Sequence, residues 1–539
     1  MFYIDTTGMY GTGSHEKPEF AALPDLIAEM DRLGIWGALT VNTVARDTHS
    51  DTGNRALMAD IEAVPGAKDR IIPVFAVAPK NFYETVTMEY LHEMFSSGRV
   101  GALVIFPRTC KFAVTHLERI FDELAKYSPL VLVDINELDG QTDFDGLIRI
   151  ANRYPNMNFI VQNTMWGGYG PLFDVMWRCK NVYAEISRMH VQDTFRTIAS
   201  RLGDGRTVFG RGYRSISGAA MSMLRYGGLS VEEEEAVAGK RVLSLLPNRE
   251  EADRLLAAAK ELEPKVPNTL WNELMTGNGV RSTEIIDVHT HIGRATMNGW
   301  FIEDTGYRKL LDGMMEMASR LGIRRSIASG SEALMGDCFE GNRLMERETA
   351  AYHYRVSGYY VYNPIYGDKI TEEELDERFA GGFFVGIKTL ADYWHVPVTD
   401  PSYTPIWEYA NKHRLPILFH SWEGACDTPD MIAQVAVKYP DATFLIGHSG
   451  GGDIGRLQAE RACVSIPNVY LEFCGSFCAK RRWRETLDVV GADRVVFGTD
   501  AQAHDQAWEL GRLLSEDVTD DELKLILSEN IERIIARRI

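Results

Sequence analysis

The side chains best suited to chemistry are four histidines and one aspartate in the second half of the chain. His289 and His291 alternate along a strand-like run, so their side chains point to the same face. His420, His448 and Asp500 each end a further short apolar run of the kind that forms a buried strand. Neutral imidazole and carboxylate are ligands that suit Zn²⁺ or Mn²⁺. The set therefore predicts a site for a divalent metal ion.

The spacing of these groups indicates how they are brought together. The intervals from His291 to His420, from His420 to His448 and from His448 to Asp500 correspond to about four, one and two strand–helix units. The groups then fall at the ends of strands one, five, six and eight. In a (β/α)₈ barrel all of these ends meet on the face that carries the active site.

The second half supplies the strands that this arrangement needs. Eight runs rich in β-branched or aromatic residues occur there, most with room for a helix after them. They are Glu284–Val288, Arg325–Ala328, Gly358–Tyr362, Val385–Thr389, Pro416–His420, Thr443–Gly447, Val469–Phe473 and Arg494–Gly498. Alternating strands and helices favour a parallel sheet, and eight such units in about 250 residues predict a TIM-type barrel.

The first half repeats this plan at an offset of about 285 residues. Asn181–Glu185 (NVYAE) matches Asn468–Glu472 (NVYLE), and Val208–Gly210 matches Val496–Gly498 as the same tripeptide. Such a collinear series predicts a tandem duplication. We expect an α/β protein of two tandem barrels, with residues 1–265 and 283–539 as the domains and 266–282, rich in Pro, Asn and Gly, as the linker.

The first copy lacks the chemical groups of the second. Thr7, Met9, Leu103, Asp134, Asn163 and Gly212 stand opposite His289, His291, Lys388, His420, His448 and Asp500. Glycine and leucine offer no ligand, and methionine suits softer ions than zinc. The first barrel is therefore expected to be degenerate and to hold no metal.

The second half, from Glu284 to Ile539, resembles the amidohydrolase superfamily, in the branch that includes aminocarboxymuconate semialdehyde decarboxylase. The resemblance lies in His420 and in the motifs Asp287–Gly293 (DVHTHIG), Gly386–Lys388 (GIK), Gly447–Gly451 (GHSGG) and Phe497–Asp500 (FGTD). It implies one divalent metal, most often zinc, held by His289, His291, His420 and Asp500. It also implies that His448 lies beside the metal as an acid/base group.

Lys388 ends the fourth strand-like run and admits three interpretations. It is expected to be a cation that binds substrate or supports the ligands, rather than the carbamylated bridge found in binuclear members of the superfamily. A structural salt bridge is the third interpretation. Further candidates for substrate binding are Arg294, Asn363 and Glu423. Other residues that follow strands are expected to line the pocket, namely Trp300, Tyr393, Trp422, Glu472 and Gln502, whereas Cys474 and Cys478 are expected in the core or wall.

Two reactions fit this set of groups. The first is hydrolysis of a small carboxylated or cyclic substrate, such as a lactone or amide, in which Asp500 takes a proton from a metal-activated water and His448 polarises a carbonyl or donates a proton. The alternative is non-oxidative decarboxylation of a small aromatic or muconate-type acid, with a cation holding the carboxylate. A non-enzymatic metal-binding scaffold is a third interpretation.

Composition limits the partners. A net charge of −19 argues against nucleic acid or anionic membrane as a partner and leaves a small-molecule substrate. The seven scattered cysteines favour a reducing cytoplasm, and neither a signal peptide nor a membrane-spanning run is evident. The resemblance implies that two barrels pair, within the chain or in a homodimer. Arg108, Arg211 or Arg214 of the first copy would then reach the second site.

Overall fold

The computed structural model describes residues 1–13, 18–212, 218–294, 303–476 and 482–539. Their contacts divide the chain into two compact units, Met1–Val266 and a second that begins at Pro267. Each unit contains one sheet of eight parallel strands in which every strand pairs with the next along the chain. Helices follow the strands in both units. The predicted fold, two (β/α)₈ barrels in tandem, is confirmed.

The strands are short and buried. Those of the first barrel are β1 (Ile4–Tyr10), β2 (Gly37–Asn42), β3 (Ile71–Val77), β4 (Ala102–Ile105), β5 (Leu130–Asp134), β6 (Phe159–Gln162), β7 (Val182–Glu185) and β8 (Thr207–Val208). Those of the second are β9 (Ile285–Ile292), β10 (Ile323–Gly330), β11 (Val356–Val361), β12 (Phe384–Thr389), β13 (Pro416–His420), β14 (Thr443–Gly447), β15 (Val469–Glu472) and β16 (Val495–Val496).

The helices surround these sheets. The first unit contains α1 (Leu23–Leu33), α2 (Val44–Asp47), α3 (Ser50–Ala63), α4 (Ala67–Arg70), α5 (Thr85–Ser96), α6 (Glu118–Leu124), α7 (Gly140–Arg153), α8 (Tyr169–Arg178), α9 (Thr194–Leu202), α10 (Ala219–Tyr226), α11 (Val231–Glu235), α12 (Arg241–Leu245) and α13 (Arg249–Ala258). The second contains α14 (Thr269–Glu273), α15 (Tyr307–Leu321), α16 (Ser331–Met335), α17 (Cys338–Glu348), α18 (Glu372–Ala380), α19 (Ala391–Trp394), α20 (Thr404–His413), α21 (Pro429–Ala436), α22 (Asp453–Ser465), α23 (Arg482–Val490), α24 (Gln506–Leu514), α25 (Asp520–Lys524) and α26 (Asn530–Ala536). Within the described ranges, none of these helices is long and apolar enough to cross a membrane.

Apolar side chains from every strand fill the second barrel. Val288, Leu418, Leu445 and Val496 belong to one buried cluster, to which α26 adds Ile531. Strands that are covered on both faces read as nearly continuous apolar runs, which is why the sequence pattern located them. β9 is longer than predicted, because His289 and His291 are themselves part of the strand.

Hydrogen bonds from the last strand segment to the first close each barrel. In the second barrel the backbone N–H of Val288 donates to the carbonyl of Phe497 at 2.9 Å, and that of Asp500 donates to the carbonyl of His289 at 2.7 Å. In the first barrel Thr6 donates to Phe209 at 3.2 Å in the position equivalent to the Val288 bond. Closure therefore brings residues more than 200 positions apart into contact.

Each barrel contains the same set of hydrogen bonds from an asparagine side chain, in addition to the same strand topology. The side-chain amide of Asn468 donates to the carbonyls of Ala436, Tyr439 and Ala442 at 3.4, 3.0 and 2.9 Å. Asn181 makes the matching three bonds in the first barrel, to Ala151, Tyr154 and Met157. An asparagine at the equivalent position thus bonds to the same loop in each copy, which supports a duplication.

The segment predicted as a linker is packed into the second unit. It contains α14, whose Trp271 is fully buried. The Asn268 amide donates to the carbonyl of Leu514 at 2.9 Å, and its oxygen caps α14 by accepting from the N–H of Trp271. The proline, asparagine and glycine that favoured a linker here serve as helix punctuation.

We expect Asn468→Ala to destabilise the second barrel by about 3 kcal/mol, because it leaves buried carbonyl groups without a donor. The measurement is the denaturant midpoint of the second barrel's transition. Gln141→Ala, at an exposed site, is the control and should change stability by less than about 0.5 kcal/mol. Equal midpoints for both variants would show that the asparagine bonds contribute nothing.

Candidate metal centre

Three ligand-type side chains meet at the carboxyl end of the second barrel. The Nε2 atom of His291 lies 2.7 Å from Oδ1 of Asp500, and Nε2 of His289 lies 3.7 Å from the same oxygen. All three side chains are buried. Together they form one of the groups in the described structure whose ligand atoms all lie within 4.8 Å of one another.

Strand geometry and barrel closure place these groups. His289 and His291 alternate on β9 and so face the same side of the strand. Asp500 follows β16 in a left-handed backbone conformation, with φ of 58°, and its N–H is fixed to the carbonyl of His289. The buried carboxylate of Asp287 accepts from the Thr499 hydroxyl at 2.5 Å and from the Thr499 N–H at 3.0 Å, which fastens the segment before Asp500.

Glu472, at the end of β15, orients His289. Its Oε2 lies 2.8 Å from Nδ1 of His289, so that Nδ1 donates and Nε2 keeps its lone pair for a metal. Burial raises the pKa of Glu472 to about 8. A cation held by His289 would favour the charged carboxylate, because an opposite charge nearby lowers the pKa of an acid. The Cys474 thiol also donates to Glu472, at 3.0 Å.

The other predicted ligands have their own partners. Nδ1 of His291 lies 2.8 Å from the Ser329 hydroxyl, and Nδ1 of His420 lies 2.9 Å from Oδ2 of Asp427. In both residues Nε2 is again the nitrogen left for a metal. Such partners fix the orientation and tautomer of a ligating imidazole and raise its basicity.

Burial keeps the imidazoles neutral. It lowers the pKa of His289 far below its usual value and that of His420 to about 4, with the nearby Lys388 charge acting in the same direction. It also lowers the pKa of His291, although the bond to Asp500 partly opposes this. Neutral imidazole is the form that binds a metal. The donors and their protonation states therefore fit a divalent cation.

His448 lies beside the ligands. Its ring centroid is 4.9 Å from that of His289 and 5.0 Å from that of His420. Its Nδ1 donates to the carbonyl of Cys474 at 2.6 Å, which leaves Nε2 as a proton acceptor in the neutral ring. Burial lowers the pKa of His448 to about 3. The Trp422 ring, 5.8 Å away, packs against its edge.

Lys388 is fully buried within the same cluster. Its Nζ lies 2.8 Å from Nε2 of His289, and burial lowers its pKa to about 8 against the pull of Asp500. No carboxylate within 4 Å pairs with this ammonium in the described ranges, so the structure gives no support to a salt-bridge role. The amine instead points at the centre.

Three residues predicted to bind substrate have partners outside the ligand cluster. The Arg294 side chain is 63% exposed and pairs with Asp304. The Asn363 side chain caps a helical turn by accepting from the N–H of Ile365 at 3.1 Å. Glu423 is exposed and accepts from the N–H of Gly455 at 2.9 Å. Each side chain is occupied by local structure, which the sequence pattern does not reveal.

The aromatic wall contains two of the residues expected there. Tyr393 meets the His420 ring edge-on with centroids 5.4 Å apart, and Trp422 stacks on His420 at 6.2 Å. Gln502 is buried, as predicted for a lining residue, and its Nε2 has no hydrogen-bond partner among the described residues. Trp300 and Cys478 lie outside the described residues.

Several contributors to the centre were not assigned a role by sequence reasoning. Glu472 was expected only in the wall, yet it holds His289. His504 follows β16, with Nε2 3.8 Å from Oδ2 of Asp500 and Nδ1 2.9 Å from Glu509. Asp427 and Ser329 were not singled out. The available signal was the glutamate that ends the repeated NVYAE and NVYLE segments, since an acid retained in both copies at a strand end is unusual for a wall position.

The first barrel keeps the buried glutamate but not the ligands. Glu185, equivalent to Glu472, is buried with its pKa raised by burial to about 7, and it accepts from the N–H of Asn163. Asn163 has a φ of 58° against 61° for the equivalent His448. The buried Arg211, equivalent to Thr499, lies 3.5 Å from Asp5 and 3.0 Å from Glu19. A guanidinium thus occupies this end of the first barrel.

Comparison with known proteins finds a family match for the second barrel. The amidohydrolase family model matches residues 286–537. No curated protein matches the chain. A TIM-barrel protein from Bordetella bronchiseptica shares 17% identity, covering 47% of this chain and 99% of that chain with a TM-score of 0.37. A dihydroxybenzoic acid decarboxylase from Polaromonas sp. JS666, with bound manganese and 2-nitroresorcinol, shares 16% identity over 47% and 97%, with a TM-score of 0.38. A probable 2-pyrone-4,6-dicarboxylic acid hydrolase from Acinetobacter baumannii shares 13% identity over 47% and 99%, also with a TM-score of 0.38.

Replacing Glu472 with Gln should weaken metal binding by about 10- to 100-fold, because the acceptor that orients His289 loses its charge. The measurement is a competition titration against a metal chelator of known affinity. Glu185→Gln makes the same change at the equivalent position of the first barrel and should leave the affinity unaltered. If the two variants bind metal equally well, Glu472 has no role in the centre.

Proposed function

We propose that the second barrel, which belongs to the amidohydrolase family, is a metal-dependent hydrolase acting on a small carboxylated or cyclic substrate such as a lactone or amide. One observation carries the proposal: buried, neutral His289 and His291 meet the ionised Asp500 at the carboxyl end of the strands. That end is where TIM-barrel enzymes carry out their chemistry.

His289, His291, His420 and Asp500 would hold the divalent cation, with zinc or manganese as the ions that suit these donors. When bound, such an ion polarises a carbonyl oxygen and activates a water molecule near neutral pH. The support for this ligand set is that each imidazole has a partner for its Nδ1, while the Nε2 atoms of His289 and His291 face the Asp500 carboxylate.

Asp500 is suited to receive a proton. Burial alone would raise its pKa, but the bond from His291 and the neighbouring imidazoles hold the pKa well below the usual value. The carboxylate is therefore ionised, and its position beside both imidazoles assigns to it the proton of an attacking water. His504 lies 3.8 Å from the second oxygen and extends the path away from the centre.

His448 is suited to accept a proton from the substrate or from water. With Nδ1 donating to Cys474, its neutral ring presents Nε2 as an acceptor, so it takes up a proton or accepts a hydrogen bond from a hydroxyl before it can donate. This order follows from the tautomer, and it assigns His448 to proton transfer rather than to polarising a carbonyl in its resting state.

Decarboxylation is the second candidate, and Lys388 is the observation that favours it. A buried ammonium without a carboxylate partner among the described residues can neutralise a carboxylate brought by the substrate. The carbon–carbon bond would then break with loss of carbon dioxide, and His448 or Asp500 would pass a proton taken up from solvent to the carbon. Both reactions use the same ligands.

We assign the metal chemistry to the second barrel alone. In the first, the position of Asp500 is taken by Gly212, and Thr7 donates to Asp5 at 2.6 Å in the place of a ligating histidine. The first barrel is proposed to act as a non-catalytic partner domain.

His448→Asn should lower kcat by about 10²- to 10⁴-fold while metal content stays unchanged, because proton transfer is lost but the ligands remain. Asparagine is chosen because it occupies the equivalent left-handed position as Asn163.

Turnover is measured with a panel of lactones, amides, aromatic acids and muconates in ¹⁸O-labelled water. Label in the organic product identifies hydrolysis. Release of carbon dioxide with no label in the organic product identifies decarboxylation. Asn163→His is the control and should turn over normally; unchanged turnover of His448→Asn would exclude the assigned step.

Metal removal should abolish turnover, and elemental analysis of active protein should give about one ion per chain. His289→Ala should lose both ion and activity, because its Nε2 lies in the centre of the ligand cluster. A content of two ions per chain would instead indicate that Lys388 is a carbamylated bridge. Full activity of metal-free His289→Ala would contradict the proposed function.

A further inference from the structure

The amino-terminal end of the second barrel, opposite the metal centre, contains a second concave site. A cavity of about 730 Å³ opens there. It is lined by the segments that lead into β9, β10 and β11, together with the end of α15, and these segments contribute Arg281, Glu284, Arg324, Arg325, Tyr354 and Arg355. Small-molecule sites usually have volumes of about 300–1,000 Å³. We propose that this cavity binds a small polyphosphate anion, in particular a nucleoside triphosphate.

The charge of the lining carries the proposal. Four arginines face one glutamate in this cavity, although the whole chain has a net charge of −19. The one ion pair within the lining joins Arg324 to Glu284 at 3.3 Å, and the Arg324 side chain is 72% exposed. An exposed pair at this distance contributes little and can open to another anion. The cavity is therefore a cationic site on an acidic protein.

Two of the arginines are held rigidly by neutral groups. Arg355 donates to the carbonyl of Ile323 at 2.8 Å and to the Ser319 hydroxyl at 2.7 Å. Arg281 donates to the carbonyl of Ser319 at 3.0 Å, at the end of α15. Neither contact neutralises the guanidinium, so both charges remain available while the side chains stay in place. Preorganised guanidinium groups bind phosphate in two-pronged fashion.

Arg325 adds a charge without an acidic partner. In the part of the chain that the structure describes, no carboxylate forms an ion pair with it. Its effect reaches a neighbour, since burial and the Arg325 charge together lower the pKa of Arg538. A like-charged neighbour with a lowered pKa is consistent with a positive potential that no internal anion offsets.

The first barrel provides an internal comparison. Arg70, the equivalent of Arg355, also donates to two backbone carbonyls, but there Asp31 pairs with it at 2.7 Å. Ser319 stands in the second barrel where the first has that aspartate. The strand register aligns Gly37 beside Ile4 and Arg325 beside Ile286, which identifies Trp36 and Gly37 as the equivalents of Arg324 and Arg325.

The comparison between the two barrels also applies to Tyr354 at the edge of the cavity. Asp69 of the first barrel, which pairs with Arg254 at 2.9 Å, corresponds to Tyr354 of the second. The scaffold is thus common to both copies, whereas two acidic residues and two uncharged ones in the first copy are replaced by a serine, a tyrosine and two arginines. Because the fold does not require these arginines, their accumulation at one cavity indicates a ligand.

Tyr354 points to the kind of anion. Its side chain is 74% exposed beside the arginines. An exposed tyrosine offers a flat face on which an aromatic base can stack. A triphosphate would use the guanidinium groups and the base would use the ring. The site is separated from His291 by the length of β9, about 20 Å, and does not depend on the proposed reaction.

The test is calorimetric titration of the full chain with ATP, inorganic tripolyphosphate and adenosine. ATP and tripolyphosphate should each bind one site per chain, and adenosine should bind at least tenfold more weakly than ATP. Arg325→Glu should raise the Kd for both anions at least tenfold. Arg461→Glu, which changes an exposed arginine on α22, should leave the Kd within twofold.

A second arm separates this site from the metal centre, because polyphosphates also chelate metal ions. His289→Ala should bind ATP with the same Kd as the unaltered chain if the cavity is the site. Equal affinity for ATP and tripolyphosphate would identify the phosphates as the recognised part, and tighter binding of ATP would add the base. The proposal is overturned if neither anion binds saturably, if Arg325→Glu binds as well as Arg461→Glu, or if His289→Ala abolishes binding.

Discussion

The second barrel closes where Asp287 and His289 on β9 meet Thr499 and Asp500 after β16. The buried Asp287 carboxylate accepts two bonds from Thr499, and the carbonyl of His289 accepts one from the N–H of Asp500. Each bond completes the cylinder and also positions a ligand. The candidate metal centre therefore forms only when the barrel closes. An open sheet would leave the histidines and the aspartate at opposite edges.

Burial sets the chemistry of this junction. It lowers the pKa of the histidines and of Lys388 and raises the pKa of Glu472, so that most groups at the centre are driven toward their neutral forms. Asp500 keeps its charge, because His291 and its neighbours favour the carboxylate. An ionised carboxylate among neutral imidazoles with oriented lone pairs is an environment that a divalent cation stabilises.

The two copies show which parts of this design belong to the scaffold. The buried glutamate, the left-handed residue after the sixth strand and the triple asparagine bonds occur in both barrels. The ligands do not. In the first barrel, Arg211 brings a permanent cation to the carboxylate of Asp5, where the second has Thr499. The ligands, and the arginines at the opposite end of the second barrel, differ between the copies although the frame is shared.

The strands and the five principal residues of the site were readable from the sequence for a physical reason. Buried parallel strands are apolar runs of defined length, and a barrel brings their ends to one face in chain order, so His289, His291, His420, His448 and Asp500 could be assigned to that face by counting units. The glutamate shared by both copies was visible, but its function was not.

What the sequence could not decide was which polar residues near that face turn inward. Arg294, Asn363 and Glu423 follow strands just as Lys388 ends one, yet the first three are taken by a local ion pair, a helical cap and a loop N–H, whereas Lys388 is fully buried against His289. Local competition for hydrogen bonds decides this, and it depends on loops whose paths are not encoded in strand periodicity. Only the folded chain also shows Glu472 behind His289 and the arginines gathered around one cavity, because these contacts join residues that are far apart in sequence. Asp427 follows His420 by seven positions, and a loop turns it back onto that histidine.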